Sequence, residues 1–363
     1  MVVHPWKAGF SVVMGVMLGV AAFYAFQLKT ALEAVAVEDF DPVAARAALG
    51  EDGADREAAV FVEPEALGGS DPLDSEMQDI RDLWGSAPAS PRDVSPYSFG
   101  DPIPDEAFES YVLLGTDASG YLADVIILAL QPAGGGRPIM VSLPRDLYVW
   151  NECKNVLTRL NSGLGGCSGV ASGMEMMAIM LEDYTGIPID HMARTTFSGF
   201  SRLVDVMGGV QVCVDAPTRD PKSGLRLRKA GCVIADGRTA LAWVRSRHPE
   251  ERINGEWVAV SGSDFTRQRR QQDVLFQLAG NMADFPSPAN LTSRLSVMAE
   301  TVRLDSSWSF GSAITAAWRY RGISEGSVAR FSVSVRGYRT PGGSSVLVPT
   351  RYFKDQLAAV WSG

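Results

Sequence analysis

The stretch YVLLGTD, at residues 111–117, begins the part of the chain whose pattern decides the fold. Its apolar run is followed by two more, VIILAL at residues 125–130 and IMVSL at residues 139–143. Short, continuous apolar runs that end at glycine, proline or charged residues are typical of strands buried on both faces. The sequence therefore predicts a buried central sheet and an α/β fold.

Helical patterns and further strands follow these first runs. The second helix closes on Gly208-Gly209, a typical helix end. The predicted helices lie at residues 173–184, 200–207, 238–245, 264–280 and 313–321, with a closing helix from residue 351. The further predicted strands lie at residues 210–214, 329–335 and 345–348.

One face of the predicted helix at residues 264–280 combines a cation with apolar side chains. Arg267, Gln271, Val274 and Leu278 recur at the spacing of a single helix face, which predicts that the cationic stripe continues towards the core. A buried arginine is costly without an anionic partner, and a helix N-terminus repels cations. A bound phosphate satisfies both constraints. A solvated, salt-bridged helix end is the alternative interpretation.

The amino-terminal region predicts a membrane anchor. An apolar run between Lys7 and Lys29 is about long enough to cross a bilayer as a helix. A cleavable signal peptide is the alternative, but the run is long for one and no small-residue cleavage site follows at once. The predicted segments are a cytoplasmic stub at 1–7, a transmembrane helix at 8–28, an acidic extracytoplasmic spacer at 29–105 and a domain at 106–363. The predicted location is the cell membrane, single-pass, with the domain outside the cytoplasm.

The charge is unevenly distributed along the 363 residues. Residues 30–105 carry 18 acidic and 4 basic side chains, so that residues 106–363 have a net charge of +3 although the whole chain has −9. The acidity therefore belongs to the predicted spacer. A mildly basic body suits an anionic ligand.

The four cysteines form two local pairs, Cys153 with Cys167 and Cys213 with Cys232. An even number of cysteines outside the cytosol indicates disulfides, and no C-x-x-C motif points to a redox role. Zinc binding is the alternative, although these scattered thiols are poorly spaced for it. We expect two structural bridges that close short loops.

Arginines outnumber acids among the polar residues that follow the predicted strands and helices between residues 111 and 272. The strand-terminal acids are Asp117 and Asp124, and the other side chains are Arg145, Arg159, Asn161, Arg245, Arg247, Arg267, Arg270 and Gln271. Arginine offers two parallel N–H groups to phosphoryl oxygens, and one or two carboxylates hold the divalent ion that bridges them. The pattern predicts a phosphate or pyrophosphate site. The sequence contains no Gly-x-x-x-x-Gly-Lys-Ser/Thr element, which argues against an ordinary nucleotide site.

Seven short motifs resemble, in the same order, those of the LytR-CpsA-Psr family. The resemblance is strongest over residues 111–280 and weaker in the tail. The motifs are Gly115-Thr-Asp117, Ala123-Asp124-Val125, Ser142-Leu-Pro144-Arg145-Asp146, Arg159-Leu-Asn161, Val204-Asp-Val-Met-Gly208-Gly209-Val210, Arg245-Ser-Arg247-His248 and Asp264-Phe-Thr-Arg267-x-x-Arg270-Gln271-Gln272.

Members of this family are membrane-anchored bacterial phosphotransferases, which move a glycopolymer from an undecaprenyl pyrophosphate carrier onto a peptidoglycan hydroxyl. The resemblance implies a three-layer α/β/α sandwich with a mixed central sheet, Mg²⁺ as cofactor and a pyrophosphatase side activity when water replaces the acceptor. It implies catalytic roles for Asp117, Asp124, Arg145 and Asp264, the first two near the magnesium ion. It implies pyrophosphate binding by Arg145, Arg159, Arg245, Arg247, Arg267, Arg270 and Gln271.

The chain departs from the family pattern at its first motif. Ser119 and Leu122 stand where the family has arginines, and Arg159 replaces a lysine. The alternative hypothesis is therefore a non-catalytic protein that binds a polyprenyl pyrophosphate or a wall polymer. A nucleic-acid binder is the third hypothesis, but no recognition motif supports it, and we expect no nucleic-acid partner.

Overall fold

The computed structural model describes part of the chain in detail. The described residues are Thr30, 36–54, 103, 105–117, 119–260, 264–283, 288–307, 312, 315, 319 and 325–361. None of the helices in these ranges has the length and hydropathy needed to cross a membrane. The predicted transmembrane helix at 8–28 lies outside the described residues, as does most of the predicted spacer.

Strands dominate the secondary structure, and the helices lie between them. The strands are β1 Ala36–Glu38, β2 Phe108–Thr116, β3 Ala123–Pro132, β4 Ile139–Leu143, β5 Tyr148–Asn151, β6 Val156–Arg159, β7 His191–Thr196, β8 Val210–Val214, β9 Thr218–Asp220, β10 Leu225–Leu227, β11 Gly231–Ala235, β12 Glu250–Ile253, β13 Glu256–Ala259, β14 Val302–Asp305, β15 Ala329–Ser332, β16 Val335–Arg339 and β17 Ser345–Pro349. The α-helices are α1 Pro42–Ala54, α2 Gly173–Thr185, α3 Phe197–Val206, α4 Gly237–Arg245, α5 Asp264–Ala283, α6 Pro288–Thr301 and α7 Phe353–Ala358.

The chain divides into two compact units. The first, which we call the sheet unit, comprises Glu38–Thr196, Asp305–Trp308 and Ser324–Gly363. The second, which we call the inserted unit, comprises Met1–Val37, Phe197–Leu304 and Ser309–Ile323. Its described part is mainly the long segment between β7 and the end of β14.

A mixed sheet forms the core of the sheet unit. The strand order is β1-β14-β7-β2-β3-β4-β15, where β1 and β14 end in this unit at Glu38 and Asp305. Strands β2 and β3 pair antiparallel, as do β3 and β4, whereas β2 with β7 and β4 with β15 pair parallel. The central strands are almost continuously apolar because both of their faces are buried.

Helix α2 supplies the largest part of the apolar core beside the sheet. It begins at a capping box, in which the Ser172 hydroxyl accepts from the Glu175 N–H and the Glu175 carboxylate accepts from the Ser172 N–H. It ends at Gly186, whose left-handed φ of 71° lets the chain turn away. Methionines and aliphatic residues are buried along nearly the whole helix, as expected for a helix apolar on most sides.

The inserted unit has two small sheets and four helices among its described residues. Strands β8 and β11 form a two-stranded antiparallel sheet, and β10-β9-β12-β13 form a four-stranded antiparallel sheet. Helix α3 closes at Gly208 and Gly209, which both have a φ of 89°, as the Gly-Gly pair predicts. The core of this unit combines the inner faces of α3, α4 and α5 with the buried side of β8.

Most sequence predictions for the elements are confirmed. The mixed central sheet is confirmed, as are both disulfides, Cys153–Cys167 and Cys213–Cys232. The predicted strand at 329–335 is wrong as a single element. It ends at Ser332, and a new strand starts at Val335, because the backbone of Ser334 bonds to the Gln356 side chain and to Thr350. The three-layer arrangement stays a prediction, and the helix predicted at 313–321 lies mostly outside the described residues.

Helix α1 is attached to α2 by a cluster of charged side chains. The Arg46 guanidinium lies 2.7 Å from an Asp183 carboxylate oxygen and 3.3 Å from one of Glu152, with Glu182 at 3.5 Å. Ala45 and Leu49, on the same helix, are buried in the core of the sheet unit. Burial, which outweighs the attraction to Arg46, raises the pKa of Asp183 to about 6.

This raised pKa predicts a pH dependence of stability. The folded chain holds the Asp183 proton more tightly than the unfolded chain, so the free energy of unfolding should fall as the pH rises from about 4 to about 6. A shift from 3.8 to about 6 corresponds to at most roughly 3 kcal/mol. Asp183→Asn should flatten this slope in denaturation curves recorded between pH 4 and pH 7. The exposed Asp355→Asn serves as the control, and equal slopes in all three proteins would contradict the prediction.

Candidate functional site

The predicted site residues fall into two groups, one in each unit. We call Asp117, Asp124, Arg145, Asp146 and Arg159 the aspartate cluster, which lies in the sheet unit. We call Arg245, Arg247, Arg267, Arg270 and Gln271 the arginine cluster, which lies in the inserted unit. Each group is built by its own local structure.

The pairing of β2 with β3 brings the two aspartates to the same end of the sheet. Asp117 directly follows β2, and Asp124 is the second residue of β3. The register shifts at Gly115 and Thr116, so that Thr116 pairs with Ala123. Such a bulge re-aims the side chains that follow it. The connection between the strands therefore presents one carboxylate before the turn and one after it.

The Asp117 carboxylate organises this connection. Its Oδ1 atom accepts hydrogen bonds from the Ser119 hydroxyl at 2.6 Å, the Ser119 N–H at 3.0 Å and the Gly120 N–H at 3.1 Å. These bonds, that of the Ser119 hydroxyl first, lower the pKa of Asp117. Ser119 thus stabilises the ionised carboxylate, whereas Leu122 is an exposed apolar residue of the same turn.

Arg145 lies between two carboxylates at the end of β4. Its Nη1 atom makes a short ion pair with Asp124, and its Nε atom lies 3.4 Å from Asp146 Oδ2. Burial lowers the pKa of Arg145, but the hydrogen bond with Asp124 and the charge of Asp146 outweigh burial and raise the pKa. The structure therefore brings together Asp124 and Arg145, which the sequence placed in separate motifs.

Arg159 joins the same cluster from the end of β6. Its Nε atom lies 3.5 Å from Asp146 Oδ1, and its Nε and Nη2 atoms donate to the Ser345 carbonyl at 3.1 and 2.9 Å. The N–H of the neighbouring Asn161 donates to the Arg145 carbonyl at 3.0 Å. The predicted Arg159-Leu-Asn161 motif thus contacts the end of β4 twice. Asn161 bonds to the Arg145 backbone, and Arg159 contacts the Asp146 side chain.

Sequence reasoning missed Arg194 on β7. Leu114 of β2 is its partner across the parallel ladder. The guanidinium donates from Nη1 to the Gly120 carbonyl at 3.2 Å and makes a short ion pair with Glu38 through Nη2. A cation therefore reaches the turn in which the family's first-motif arginines are missing. The single arginine of the strand HMARTT is the one signal that the sequence offered.

In the inserted unit, the cationic stripe on α5 is confirmed. Arg267, Gln271, Val274 and Leu278 are all buried, at 6, 8, 1 and 6% exposure. The Gln271 amide donates to the Val244 carbonyl at the end of α4, at 3.2 Å. The stripe of α5 therefore packs towards the residues that precede the Arg-Ser-Arg-His loop, and the burial of Arg267 does not fit a solvated helix end.

Aromatic rings hold two further arginines of this cluster. The Arg270 guanidinium lies 3.9 Å from the centre of the Trp243 ring and donates to the Ser246 carbonyl at 3.4 Å. The Arg245 guanidinium lies 4.6 Å from the Phe197 ring centre. Burial lowers the pKa of Arg270, and the charges of Asp220 and Glu251 only partly oppose this shift. Cation–π contacts fix the planes of these guanidinium groups without neutralising them.

A buried carboxylate that sequence reasoning missed anchors the Arg-Ser-Arg-His loop. Asp220, at the end of β9, is 1% exposed. Its Oδ2 atom accepts from the Ser246 hydroxyl at 2.8 Å and from the Arg247 and His248 N–H groups at 3.0 Å each. Burial raises the pKa of Asp220, but hydrogen bonds from His248, Ser246, Ser223 and Lys222 outweigh burial and lower the pKa. The local sequence carries no signal, because these three donors lie 26–28 residues further on.

The predicted catalytic role of Asp264 stays a prediction. Asp264 is the first residue of α5, and its side chain lies outside the described part of the structure. His248 has an exposed side chain at the end of the Arg-Ser-Arg-His loop. Within the described ranges, no three histidine, cysteine, aspartate or glutamate side chains gather in a way that would hold a metal ion.

The sheet unit is a mixed α/β sheet that ends in aspartates and arginines, side chains of the kind that suits phosphoryl oxygens. Comparison with known families makes the class specific. The chain belongs to the LytR_cpsA_psr family, whose model matches residues 105–359. The resemblance seen in the seven motifs is thereby confirmed.

Individual relatives agree with this assignment. The chain is 29% identical over 182 residues to the probable cell wall biosynthesis protein LcpB of Corynebacterium glutamicum, covering 46% of this chain and 42% of that protein. It is 24% identical over 260 residues to the polyisoprenyl-teichoic acid–peptidoglycan teichoic acid transferase TagU of Halalkalibacterium halodurans, covering 69 and 76%. The LytR-Csp2A-Psr enzyme from Actinomyces oris matches in structure with a TM-score of 0.55 and 27% identity, covering 70% of this chain and 90% of that one. The chain thus spans less than half the length of LcpB.

The anchoring role of Asp220 predicts a local change in backbone protection. Asp220→Ala removes the carboxylate that accepts three hydrogen bonds from the Arg-Ser-Arg-His loop and two from Lys222 and Ser223, and bonds to a charged group are worth about 1.5–3 kcal/mol each. We expect amide hydrogen exchange at Arg247 and His248 to accelerate by at least roughly tenfold. The exposed Asp215→Ala is the control. Unchanged exchange in Asp220→Ala would mean that the loop is held by other contacts.

Proposed function

We propose that this protein is a phosphotransferase of cell wall assembly. In this proposal it moves a glycopolymer from a polyprenyl pyrophosphate carrier, such as undecaprenyl pyrophosphate, to a hydroxyl group of peptidoglycan. The observation that carries the proposal is the aspartate cluster, in which Arg145 is fixed between two carboxylates at the end of a buried strand. Family membership and the similarity to the teichoic acid transferase TagU support the choice of substrate class.

The arginines suit the charge that phosphoryl transfer moves. The acceptor hydroxyl oxygen attacks the phosphorus that is linked to the sugar, the bond from that phosphorus to the bridging oxygen breaks, and polyprenyl phosphate leaves. The hydroxyl proton must pass to a base, for which the ionised carboxylates of the aspartate cluster are candidates. Arginines that are held in place before the reaction neutralise the phosphoryl oxygens without reorganisation.

The aspartate cluster also fits a magnesium ion. Asp117 and Asp124 offer two carboxylates at one end of the sheet, and Mg²⁺ commonly takes one or two carboxylates, with water and phosphate oxygens completing its six ligands. The lowered pKa of Asp117 keeps that carboxylate ionised, as a ligand must be. When bound, the ion would neutralise phosphoryl oxygens. Asp117 and Asp124 would hold it.

The cellular setting belongs to the same proposal. The apolar run at residues 8–28 would anchor the protein in the cell membrane, with the rest of the chain outside the cytoplasm. Two disulfides in the described structure support an oxidising compartment, where such bonds persist. The membrane anchor would then hold the protein beside its lipid-linked donor. Peptidoglycan, the acceptor, would lie on the same side of the membrane.

A binding protein without turnover is the second candidate. It is favoured by the turn between β2 and β3, where Ser119 bonds to Asp117 and Leu122 is 43% exposed. Both stand where the family has arginines. Such a protein would bind the polyprenyl pyrophosphate or the wall polymer and leave the pyrophosphate intact.

Turnover by the full-length protein separates these functions. The protein, in detergent, is mixed with a polyprenyl-pyrophosphate-linked glycopolymer, Mg²⁺ and peptidoglycan fragments, and polyprenyl phosphate and polymer-bearing fragments are measured. We expect transfer by the wild type and a loss of roughly 10²–10³-fold in Arg145→Ala, because a preorganised charge is removed. The exposed Arg351→Ala, in the same unit, should transfer normally. Donor binding without turnover by the wild type would contradict the enzyme and favour the binding protein.

The magnesium proposal makes its own prediction. Chelation with EDTA should abolish transfer, and added Mg²⁺ should restore it. Asp117→Asn should raise the Mg²⁺ concentration for half-maximal transfer and weaken Mn²⁺ binding followed by electron paramagnetic resonance. Asp215→Asn, at an exposed site, should change neither. Full transfer in EDTA, or equal Mn²⁺ binding by wild type and Asp117→Asn, would exclude this assignment of the ion.

A further inference from the structure

The four-stranded sheet of the inserted unit has one strongly basic face. In an antiparallel pair, directly opposite residues share a face, and alternate residues of a strand share it too. Arg226 is opposite Arg219, Arg219 is opposite Glu250, and Arg252 is opposite Trp257. These five side chains therefore line one face, which we call the basic face. Leu225 and Leu227, which alternate with Arg226, are buried on the other side.

The charges on the basic face are not balanced. Arg219 pairs with Glu250 at 2.6 Å and lies 4.3 Å from the Trp257 ring centre. Arg226 and Arg252 are exposed, and like charges directly opposite, as for Arg226 and Arg219, are destabilising unless an anion lies between them.

The acidic and basic residues near the basic face do not remove its excess of positive charge. The carboxylate of Asp220 is buried and bonded to the Arg-Ser-Arg-His loop, and Glu251 and Glu256 alternate with the residues of the basic face and point to the opposite side. Residues 218–230 contain five basic side chains and one aspartate. Lys222, Arg228 and Lys229, the remaining bases of this segment, are all exposed.

We propose that the basic face binds the polymer portion of a phosphodiester-linked glycan or polyol chain. Exposed arginines bind phosphodiester oxygens through their N–H groups, and an exposed tryptophan ring offers an apolar surface to a sugar. The choice of polymer rests on the proposed function. Ile253 and Val258, the exposed aliphatic residues of this sheet, alternate with the arginines and lie on the opposite face, which favours a polymer over a lipid surface.

The basic face is continuous along the chain with the arginine cluster. Strand β9 ends at Asp220, which holds the Arg-Ser-Arg-His loop, and β12 begins two residues after His248. A polymer on the basic face therefore contacts strands that are joined directly to the Arg-Ser-Arg-His loop, which carries Arg245 and Arg247. The face adds binding energy remote from the reacting phosphorus, and it selects donors by the charge of their chain.

Binding of a soluble poly(glycerol phosphate) chain tests the inference. Binding to the full-length protein is measured by fluorescence anisotropy at low and at physiological salt, with inorganic phosphate as a monomeric probe. We expect Arg226→Ala/Arg252→Ala to weaken binding by roughly tenfold at low salt, with a smaller difference when salt screens the charges. Arg226→Lys/Arg252→Lys should retain most of the affinity. Arg238→Ala/Arg351→Ala, which removes two exposed arginines elsewhere, should bind like the wild type.

Three results would overturn the inference. The first is the absence of binding by the wild type, and the second is equal binding by the wild type and Arg226→Ala/Arg252→Ala. The third comes from a parallel measurement with vesicles that contain anionic phospholipid: the alanine substitutions weaken binding to the vesicles and not to the polymer. Because binding is measured without turnover, the test is separate from the proposed enzyme activity. Loss of polymer binding in the alanine variant supports the basic face even if no variant transfers a glycopolymer.

Discussion

The carboxylate of Asp220 is the interaction on which the inserted unit depends most. Asp220 is 1% exposed, and its Oδ2 atom accepts three hydrogen bonds from the loop that carries Arg245 and Arg247. Three converging donors keep a buried carboxylate ionised, and the carboxylate in turn fixes the backbone from which two arginines project. The same residue ends β9. One side chain therefore ties the Arg-Ser-Arg-His loop to the end of β9 in the four-stranded sheet.

In the sheet unit, the charged side chains of the aspartate cluster form ion pairs with one another. Arg145 and Arg159 both contact Asp146, and Arg145 also contacts Asp124, so that cations and carboxylates of the aspartate cluster already satisfy one another. An incoming phosphoryl group has to compete with these carboxylates for the arginines. A cation that engages the carboxylates would lower that competition. In the proposed function, an anion and a cation would therefore bind to the cluster more favourably together than either would alone.

Sequence reasoning succeeded where the controlling interactions are local. Continuous apolar runs identified β2, β3 and β4, and the spacing of Arg267 with Leu278 identified the buried face of α5, because strand burial and helix periodicity appear directly in the residue order. It failed where the partner is distant in sequence. The break after Ser332 depends on Gln356, and the role of Asp220 depends on donors near residue 247. Arg194 reaches the turn at Gly120 only because β7 lies beside β2.

The disulfide between Cys153 and Cys167 closes a loop that contains Arg159, one of the charged residues of the aspartate cluster. Arg159 lies within the ring of chain that this bond closes, and its guanidinium contacts Asp146, outside that ring. Closing a loop removes conformations that the open chain would otherwise sample. Reduction of this bond would therefore loosen the segment that carries Arg159 towards the aspartate cluster, and it would leave a thiol at Cys167 within the hydrophobic core of the sheet unit.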